Sequence, residues 1–340
     1  MIFRENVPLS GLNTFKTGGS AKFFCIVGTV DELKNAVCFV TENKLPFFVL
    51  GGGSNALFSD RVFEGLVIKM EMMGRGAVEK ENGTIHLSAA AGESWDKLVS
   101  LAVGNNFYGI ENLSGIPGTV GGAAVQNIGA YGAEAGDSII EVEILDVSDM
   151  KVKTLNVKER LFSYRDSIFK KLEGKNYIVT RVLFRLKKEG ELNMKYKDIR
   201  EYFENKNFGE ITLKDLRSAV LEIRSKKFPN LNKFGTAGSF FKNPTVNKNF
   251  YESLREKYPQ IPTYPVGGEN FRISLAWILD NICGLKGFKK GAVGLYENQP
   301  LVLTNFGGAS ANDIKNLADE IARTVKEKIG IEIDPEVVCV

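Results

Sequence analysis

Apolar residues recur along the first part of the chain at spacings that predict strands alternating with a helix. Apolar runs at about 21–27 and at Pro46–Leu50 have the length of strands. Between them, Leu33 and Val37 fall on one face of a helix predicted over 30–43. The first seventy residues or so are therefore predicted to form a small α/β unit.

The middle of the chain is predicted to be rich in strands. Strands are expected at Thr84–Ala91 and near 138–147, 151–156 and 176–187, with one helix at Ser94–Val103. The segment that lies between this helix and the second strand is predicted to be one long loop. The resulting pattern is that of an α+β domain.

Helices dominate the pattern beyond Thr212, and we predict a domain boundary near 208–213. The helices are predicted over 212–226, 247–257 and 273–283. A strand at Leu301–Thr304 precedes a long helix that begins with the capping-box pattern Ser310 to Asp313. A last strand is predicted over Ile331–Val340.

Composition and charge limit the classes of protein that this chain can represent. The 340 residues include 44 Lys and Arg, 41 Asp and Glu, and 44% hydrophobic residues. This is the composition of a globular protein of two or three domains, and it excludes disordered and fibrous classes. The net charge of +3 does not indicate nucleic acid as a partner.

The reactive side chains narrow the chemistry further. The four cysteines are far apart and show no CxxC spacing, which indicates neither a zinc ribbon nor a disulfide framework and favours a reducing cytoplasm. The single histidine, His86, excludes a histidine-rich metal site and lies in a predicted strand, so we interpret it as structural and expect no bound metal. We find neither a secretory signal nor an apolar run that approaches the roughly 18 residues of a membrane helix. We therefore expect a cytoplasmic protein without membrane contact.

The first candidate for a binding site is the glycine-rich segment Gly51–Ala56, which follows a predicted strand. It matches the GxGxxA pattern of a Rossmann dinucleotide site, but too few residues precede the next strand for a crossover helix. Glycines still let backbone amides approach a phosphate closely, and Ser54 and Asn55 add polar side chains. Phosphate binding is the favoured interpretation, and a simple tight turn is the alternative.

A stronger signal is the segment Gly109–Gly136, whose 28 residues include eight glycines and no lysine or arginine. A loop of this length inside a compact domain is usually functional. Its small residues, punctuated by Gln126 and Asn127, suit a pyrophosphate held by amide dipoles and a flat heterocycle held by hydrogen bonds. A purely structural glycine-rich loop is the alternative.

The third candidate is electrostatic. Six cations and no acid lie between Arg224 and Tyr251, which indicates an anionic small ligand, or alternatively a solvated charged face. Within this stretch, Ser239 has no histidine nearby to activate it and is a poor nucleophile. It remains a candidate donor of a proton or a hydrogen bond.

Taken in order, these motifs resemble one family, the UDP-N-acetylenolpyruvoylglucosamine reductases. The resemblance spans nearly the whole chain and is carried by Asn13–Phe15, Leu50–Asn55, Ala91–Trp95, Ile116–Gly118, Gln126–Gly132, Tyr164–Ser167, Gly238–Pro244 and Pro335–Val337. Each motif is short, but their order and spacing make the combination highly specific.

The resemblance implies an α+β protein that combines a two-domain FAD-binding fold of the vanillyl-alcohol-oxidase/PCMH type with a third α+β domain for the substrate. The expected domains are FAD-binding subdomain 1 at 1–70, completed by the strand 331–340, subdomain 2 at 71–212, and a UDP-sugar domain at 213–330. The implied reaction reduces UDP-N-acetylglucosamine enolpyruvate to UDP-N-acetylmuramate for peptidoglycan synthesis. It uses non-covalent FAD and NADPH, and we expect a monomer.

The resemblance also implies roles for individual residues. Arg165, Ser239 and Glu336 match the catalytic residues: Arg165 would stabilise charge on the substrate carboxylate, Glu336 would hold or polarise that end, and Ser239 would deliver a proton. The residues implied to contact substrate are Tyr196, in the mobile tyrosine loop of one branch of the family, and Lys227, Asn243, Tyr264 and Gln299. The residues implied to bind FAD are Gly51, Gly53, Ser54, Asn55, Ile116, Pro117, Gly118, Gly121, Gly122, Gln126, Asn127, Gly129 and Tyr164.

Two other functions compete with this interpretation. One is a related FAD-dependent oxidase acting on a small alcohol or hydroxy acid, although the lone strand histidine disfavours the covalent flavin that many such oxidases carry. The other is a non-enzymatic nucleotide-sugar sensor that keeps only the fold.

Overall fold

The computed structural model describes residues 1–340 apart from the side chain of Phe208, and it divides them into two compact units. The first unit comprises Met1–Val7, Ala21–Gly52 and Glu64–Arg224. The second unit comprises Pro8–Ser20, Gly53–Phe63 and Ser225–Val340. The glycine-rich segment at 51–55 is thus divided between the two units.

The first unit is built on two sheets. The four-stranded sheet has the order Arg4–Pro8, Ser20–Val27, Phe63–Met70 and Phe47–Leu50, and its last two strands are parallel. The five-stranded sheet is antiparallel, with the order Lys151–Leu155, Ile139–Asp146, Tyr177–Lys187, Thr84–Ala90 and Arg75–Glu79. The interior strands of both sheets coincide closely with the strands that the apolar pattern predicts.

The helices of the first unit include those that the sequence pattern predicts near 30–43, 94–103 and 212–226. They are Val30–Glu42, Trp95–Gly104, Val120–Gln126, Lys197–Tyr202 and Leu213–Lys227, the last of which belongs to this unit as far as Arg224. In the first helix, Thr29 accepts a hydrogen bond from the Glu32 amide at the N-terminus, and Leu33 and Val37 are fully buried. The apolar faces of the first three helices join both sheets in one core, whereas Ile199 and the apolar residues of the last helix beyond Leu213 pack in a separate cluster.

The segment 109–136 is more ordered than one long loop. It contains a short helical turn, Glu111–Leu113, the helix Val120–Gln126, and a small hairpin formed by Gly129–Ala130 and Ala133–Glu134. The Thr119 side chain accepts a hydrogen bond from Gly122 at the start of the helix. The prediction of a continuous loop is wrong here because alanines and Val120 supply a buried helical face that the glycine content conceals.

The second unit has its own core and smaller sheets. One sheet has the order Thr245–Asn247, Asn270–Ile273 and Thr263–Pro265, and another has the order Lys289–Lys290, Val293–Tyr296 and Gln299–Asn305. The helices are Lys248–Lys257, Leu275–Trp277 with a following wide turn Ile278–Ile282, and Ala311–Ile329. The predicted capping box is confirmed: Ser310 and Asp313 exchange hydrogen bonds between side chain and backbone.

Two sequence predictions in this unit need correction. The helix predicted over 273–283 is broken into a short helix and the wide turn. The last strand is confined to Val338–Cys339, which pairs in parallel with Ala56–Leu57. Residues 331–337 lie outside the strand and their hydrogen bonds go to separate partners, so a strand pattern alone overestimates the length of the strand.

Within the described residues, none of the helices is both long enough and apolar enough to cross a membrane.

Candidate functional site

Two glycine-rich segments that are far apart in sequence meet in the first unit. A Cβ atom added to Gly52 would lie 2.7 Å from the Gly118 Cα, and one added to Gly51 would lie 2.6 Å from the Thr119 Oγ1. Real side chains do not tolerate such distances, so glycine is required at this crossing. The phosphate-binding candidate at 51–52 and the second glycine segment are therefore parts of one surface of the unit.

A lysine side chain forms a hydrogen bond with the backbone at this glycine crossing. Lys69 lies beside Leu50 in the parallel strand pair, and its ammonium donates a hydrogen bond to the Gly51 carbonyl. Burial lowers the pKa of Lys69, and the charge of Glu71 partly counteracts this. No sequence motif predicts a role for Lys69, because neither glycine segment at the crossing contains a cation. Its only sequence signal is a lysine that interrupts an apolar strand.

The segment that follows the crossing carries polar groups suited to a flat ligand. Gln126 is 7% exposed, and its Nε2 is buried without a hydrogen-bond partner among the described residues. A buried amide normally has a partner, so this one is suited to a ligand. The glycine crossing and this amide fit the FAD that the sequence predicts.

Asn127 has a structural role within the same segment. Its side-chain nitrogen donates to Glu134 Oε2 at 2.9 Å and to the Ser163 carbonyl at 2.8 Å, and its oxygen accepts from the Gly136 amide. The residue adopts φ 42° where the helix ends, a conformation that asparagine tolerates. Asn127 thus links the glycine segment to the turn that carries Arg165.

Arg165 projects from a tight turn closed by two backbone hydrogen bonds of 3.1 Å between Ser163 and Asp166. The residue has a positive φ of 53°, and its guanidinium lies 5.2 Å from the centre of the Tyr164 ring. Its Nη2 donates to the Gly129 carbonyl at 2.5 Å. Two sequence predictions, the catalytic arginine and the glycine segment, are therefore joined by a direct contact.

Tyr196 packs against a second tyrosine that sequence reasoning did not single out. The rings of Tyr196 and Tyr131 meet edge to face with centroids 5.3 Å apart. Tyr131 is 7% exposed and receives a side-chain hydrogen bond from Arg224. Burial raises the pKa of Tyr131 above its ordinary value.

A charged cluster fixes the chain just before Ile116. Asp96 forms a bidentate ion pair with Arg217 at 2.7 and 2.9 Å and accepts from the Gly115 amide at 2.6 Å. Arg224 donates to the Gly115 carbonyl at 3.1 Å. Both the amide and the carbonyl of Gly115 are thus held by side chains from other elements. Among the six cations of the predicted basic stretch, Arg224 has this structural role.

The second unit brings Ser239 and Glu336 to one place. Ser239 bridges to Val302, and the next residue, Phe240, donates its amide to the Leu301 carbonyl at 2.8 Å. On the other side, the Glu336 amide donates to the Phe240 carbonyl at 2.7 Å. The segment from Ser239 therefore lies between the strand Gln299–Asn305 and the chain terminus, and both predicted catalytic residues are half-buried.

Asn55, a predicted cofactor residue, contributes to this arrangement. Its side-chain amide donates to the Glu336 carbonyl at 3.1 Å. The preceding Gly53 has φ 65°, and its carbonyl accepts from the Thr14 amide at 3.0 Å. Within the second unit, the Gly53–Asn55 segment is thus attached to both the Asn13–Phe15 motif and the C-terminal segment.

The four other predicted substrate residues of this unit are distributed over several elements. Asn243 accepts a hydrogen bond from the Leu275 amide at 3.0 Å, which places it at the start of a helix. Tyr264 is 54% exposed and faces Arg272 across a strand pair. Lys227 ends its helix, and Gln299 begins its strand.

Among the described residues, we find no group of three or more histidine, cysteine, aspartate or glutamate side chains able to hold a metal ion.

Two family models match the chain. The model described as an FAD-binding domain matches residues 21–156. The model described as the C-terminal domain of UDP-N-acetylenolpyruvoylglucosamine reductase matches residues 229–340.

Individual relatives match over nearly the full length. A UDP-N-acetylenolpyruvoylglucosamine reductase of Flavobacterium johnsoniae is 37% identical over 339 residues, covering 99% of both chains. The proteins of the same name from Chromobacterium violaceum and Bacteroides fragilis are 39% and 40% identical, each covering 98% of both chains. The crystal structure of the Thermus caldophilus protein of that name (MurB) superimposes with a TM-score of 0.67 at 26% identity and covers 99% of both chains.

Proposed function

Because the chain belongs to the UDP-N-acetylenolpyruvoylglucosamine reductase family, we propose that Arg165, Ser239 and Glu336 carry out its reaction. The chain has the α+β fold of that family: an FAD-binding fold of the vanillyl-alcohol-oxidase/PCMH type and a family-specific C-terminal domain. It is an FAD-dependent oxidoreductase that uses NADPH to reduce the enolpyruvyl ether of UDP-N-acetylglucosamine enolpyruvate. Its product, UDP-N-acetylmuramate, is a precursor of peptidoglycan.

One observation carries this assignment: identity of 37% to 40% extends over at least 98% of the chain and of its named relatives. The match to these relatives therefore includes both the FAD-binding part and the C-terminal part of the chain. The oxidase alternative loses its support because residues 229–340 match the C-terminal domain of the reductase family.

The cofactor would be held mainly by backbone groups and by Gln126. The glycine crossing at Gly52 and Gly118 and the unpartnered amide of Gln126 support this assignment. The other contacts are proposed by family resemblance: Gly51, Gly53, Ser54, Asn55, Ile116, Pro117, Gly121, Gly122, Asn127, Gly129 and Tyr164. When bound, FAD accepts a hydride from NADPH and passes it to the terminal carbon of the enolpyruvyl group.

Arg165 would bind the substrate carboxylate. Hydride addition to the terminal carbon leaves negative charge that spreads from the adjacent carbon into this carboxylate. A guanidinium is permanently charged and planar, and it can offer two parallel donors to a carboxylate. Its contact with the Gly129 carbonyl keeps the side chain oriented before substrate arrives, so less reorganisation is needed during the reaction.

Ser239 would donate the proton that completes the reduction. The reaction needs one proton at the carbon next to the carboxylate, and a serine hydroxyl can supply it to an electron-rich carbon. Glu336 would hold or polarise the same end of the substrate. Their shared attachment to Phe240 supports a common role, since it fixes the two residues relative to each other.

Tyr196, Lys227, Asn243, Tyr264 and Gln299 would bind the rest of the substrate. Tyr264 and Tyr196 offer exposed rings, at 54% and 38% exposure, and Lys227 offers a positive charge suited to a diphosphate. These roles rest on the family resemblance and on the residue chemistry.

We also propose a division into FAD-binding subdomains at 1–70 and 71–212 and a substrate domain at 213–330. Within the second unit, Val338–Cys339 pairs with Ala56–Leu57, so the terminus is attached to a strand that lies within residues 1–70. We propose a cytoplasmic monomer, because UDP-sugars and NADPH are cytoplasmic metabolites and all proposed catalytic residues come from one chain.

The visible spectrum tests the activity directly. We expect purified protein to show flavin absorbance, to lose it on anaerobic addition of NADPH, and to regain it when the enolpyruvyl substrate is added. Bleaching by NADPH without recovery would contradict the proposed substrate. A protein that binds UDP-sugars but neither retains flavin nor oxidises NADPH would instead be the nucleotide-sugar sensor.

A further inference from the structure

We propose that Asn193, together with Asn112, positions Tyr196 for substrate binding. Neither asparagine belongs to the proposed catalytic or substrate-binding set. The inference rests on the proposed role of Tyr196, and it assigns the two asparagines as positioning residues that act through that tyrosine.

The two side-chain amides connect the glycine segment to the chain that leads into Tyr196. Asn112 donates to the Tyr131 carbonyl at 2.9 Å and to the Asn193 carbonyl at 2.8 Å. Asn193 donates in return to the Gly132 carbonyl at 2.9 Å. Three hydrogen bonds therefore join residues 131–132 to the residue that lies three positions before Tyr196.

The surface that Tyr196 meets is held in place from several directions. Asn112 holds the Tyr131 backbone, and Arg224 holds the Tyr131 side chain. Tyr131 also has a positive φ of 49°, a costly conformation for an aromatic residue that the surrounding contacts must maintain. Tyr196 packs its ring against this fixed tyrosine at 82°. Two contacts thus act on the position of Tyr196. Its ring packs against Tyr131, and three residues earlier the chain is attached to Gly132 through the Asn193 side chain.

Contacts that stabilise the position in which Tyr196 packs against Tyr131 reduce the conformational freedom that the tyrosine loop must lose when substrate binds. Tyr196 is 38% exposed, so burial alone does not fix its ring, and the backbone that precedes it also contributes to its position. We therefore expect loss of the Asn193 side chain to weaken substrate binding. A single neutral hydrogen bond of this kind corresponds to a change of about 3- to 10-fold in an equilibrium constant.

Asn193 is a better target than Asn112. Asn112 is 2% exposed, and its replacement would leave two carbonyls unpaired in the interior. Asn193 is half-buried, and its bond to Gly132 is exposed, so its replacement by alanine should leave the fold intact. Asn105 is a matched control, because its side chain also donates to a backbone carbonyl, that of Leu101, at the exposed end of a helix.

The experiment is a double-mutant cycle measured by calorimetric titration of the oxidised holoenzyme with UDP-N-acetylglucosamine enolpyruvate. Asn193→Ala should raise the Kd about 3- to 10-fold, whereas Asn105→Ala should not change it. Asn193→Asp keeps the oxygen that accepts from the Lys195 amide at 3.3 Å but cannot donate to the Gly132 carbonyl, so it should also raise the Kd if the bond to Gly132 carries the effect. The rate at which NADPH bleaches the flavin should stay at the parent value in all three variants.

The Tyr196→Ala background distinguishes the possible failures. We expect Tyr196→Ala to raise the Kd and to abolish the additional effect of Asn193→Ala. If Tyr196→Ala leaves the Kd unchanged, the proposed role of Tyr196 itself is wrong. If Tyr196→Ala raises the Kd but Asn193→Ala has no effect, or the two effects simply add, only the positioning role is overturned.

Discussion

The guanidinium of Arg165 donates to the Gly129 carbonyl at 2.5 Å, so the arginine proposed to bind substrate is anchored to the glycine segment proposed to bind the cofactor. A guanidinium carries five N–H donors in one plane, so a single rigid group can contact both a backbone carbonyl and a carboxylate. The backbone of Arg165 is strained, since this residue adopts a positive φ of 53°. A residue held in such a conformation is a candidate for functional strain.

Arg165→Lys should retain the charge but lose the ability to contact Gly129 and a carboxylate with one rigid planar group. We expect a large loss in the rate at which the enolpyruvyl substrate restores flavin absorbance. Bleaching by NADPH should be affected less. Stopped-flow measurement of the two half-reactions checks this, and an equal loss in both would assign Arg165 to folding or cofactor binding.

Ser239→Ala should separate proton transfer from the other tasks of the site. The variant should retain FAD and be bleached by NADPH at nearly the parent rate. Reoxidation by substrate should slow by about 10²- to 10⁴-fold, the usual contribution of a positioned general acid.

Ser239→Cys is the companion variant, because a thiol also carries a transferable proton. It should reoxidise faster than Ser239→Ala. Reoxidation of the alanine variant at the parent rate would show that the serine is structural and that the proton comes from another group.

Gly53→Ala should release FAD. At φ 65° an alanine is strained, and its Cβ would lie 2.7 Å from the Asn13 Cα and even closer to the Leu12 carbonyl, so the backbone must move. Flavin content per protein after purification, and the Kd for added FAD, measure the effect. Gly76→Ala is the control, since a Cβ there meets nothing within 4 Å. Full flavin content in Gly53→Ala would remove this residue from the cofactor site.

Asp96→Asn should destabilise the first unit in a pH-dependent manner. Burial alone would raise the pKa of Asp96, but the hydrogen bonds from Arg217 and Gly115 outweigh it and lower the pKa below its ordinary value. A carboxyl with a lowered pKa in the folded state stabilises that state above its unfolded pKa of about 3.9. This contribution is lost as the pH falls through the folded value.

The difference in melting temperature between parent and Asp96→Asn should therefore be constant near neutral pH and shrink below about pH 4. Asp319→Asn, on an exposed helix face, serves as the control. A difference that stays the same down to pH 3 would show that the charge of Asp96 does not stabilise the fold.

Local patterns in the sequence were sufficient to predict most regular elements. Periodic burial at Leu33 and Val37 and the capping box at Ser310 depend only on residues within two helical turns, so the sequence determines them directly. The ordered set of short motifs identified the family, and both family models and full-length relatives confirm it. The helix Val120–Gln126 was not predicted, because its glycines conceal a short apolar face.

Contacts between residues that are far apart in the sequence could be identified only from the tertiary structure. The crossing of Gly52 with Gly118, the bond from Lys69 to Gly51, and the bond from Asn55 to Glu336 all join segments whose separation carries no periodic signal. Their formation depends on how strands pair and loops close, which is a property of the whole fold. The sequence alone therefore determined the family and the residue types available for the chemistry. The tertiary structure decided which of these residues are held together, because only packing fixes the orientation of side chains that lie far apart in the chain.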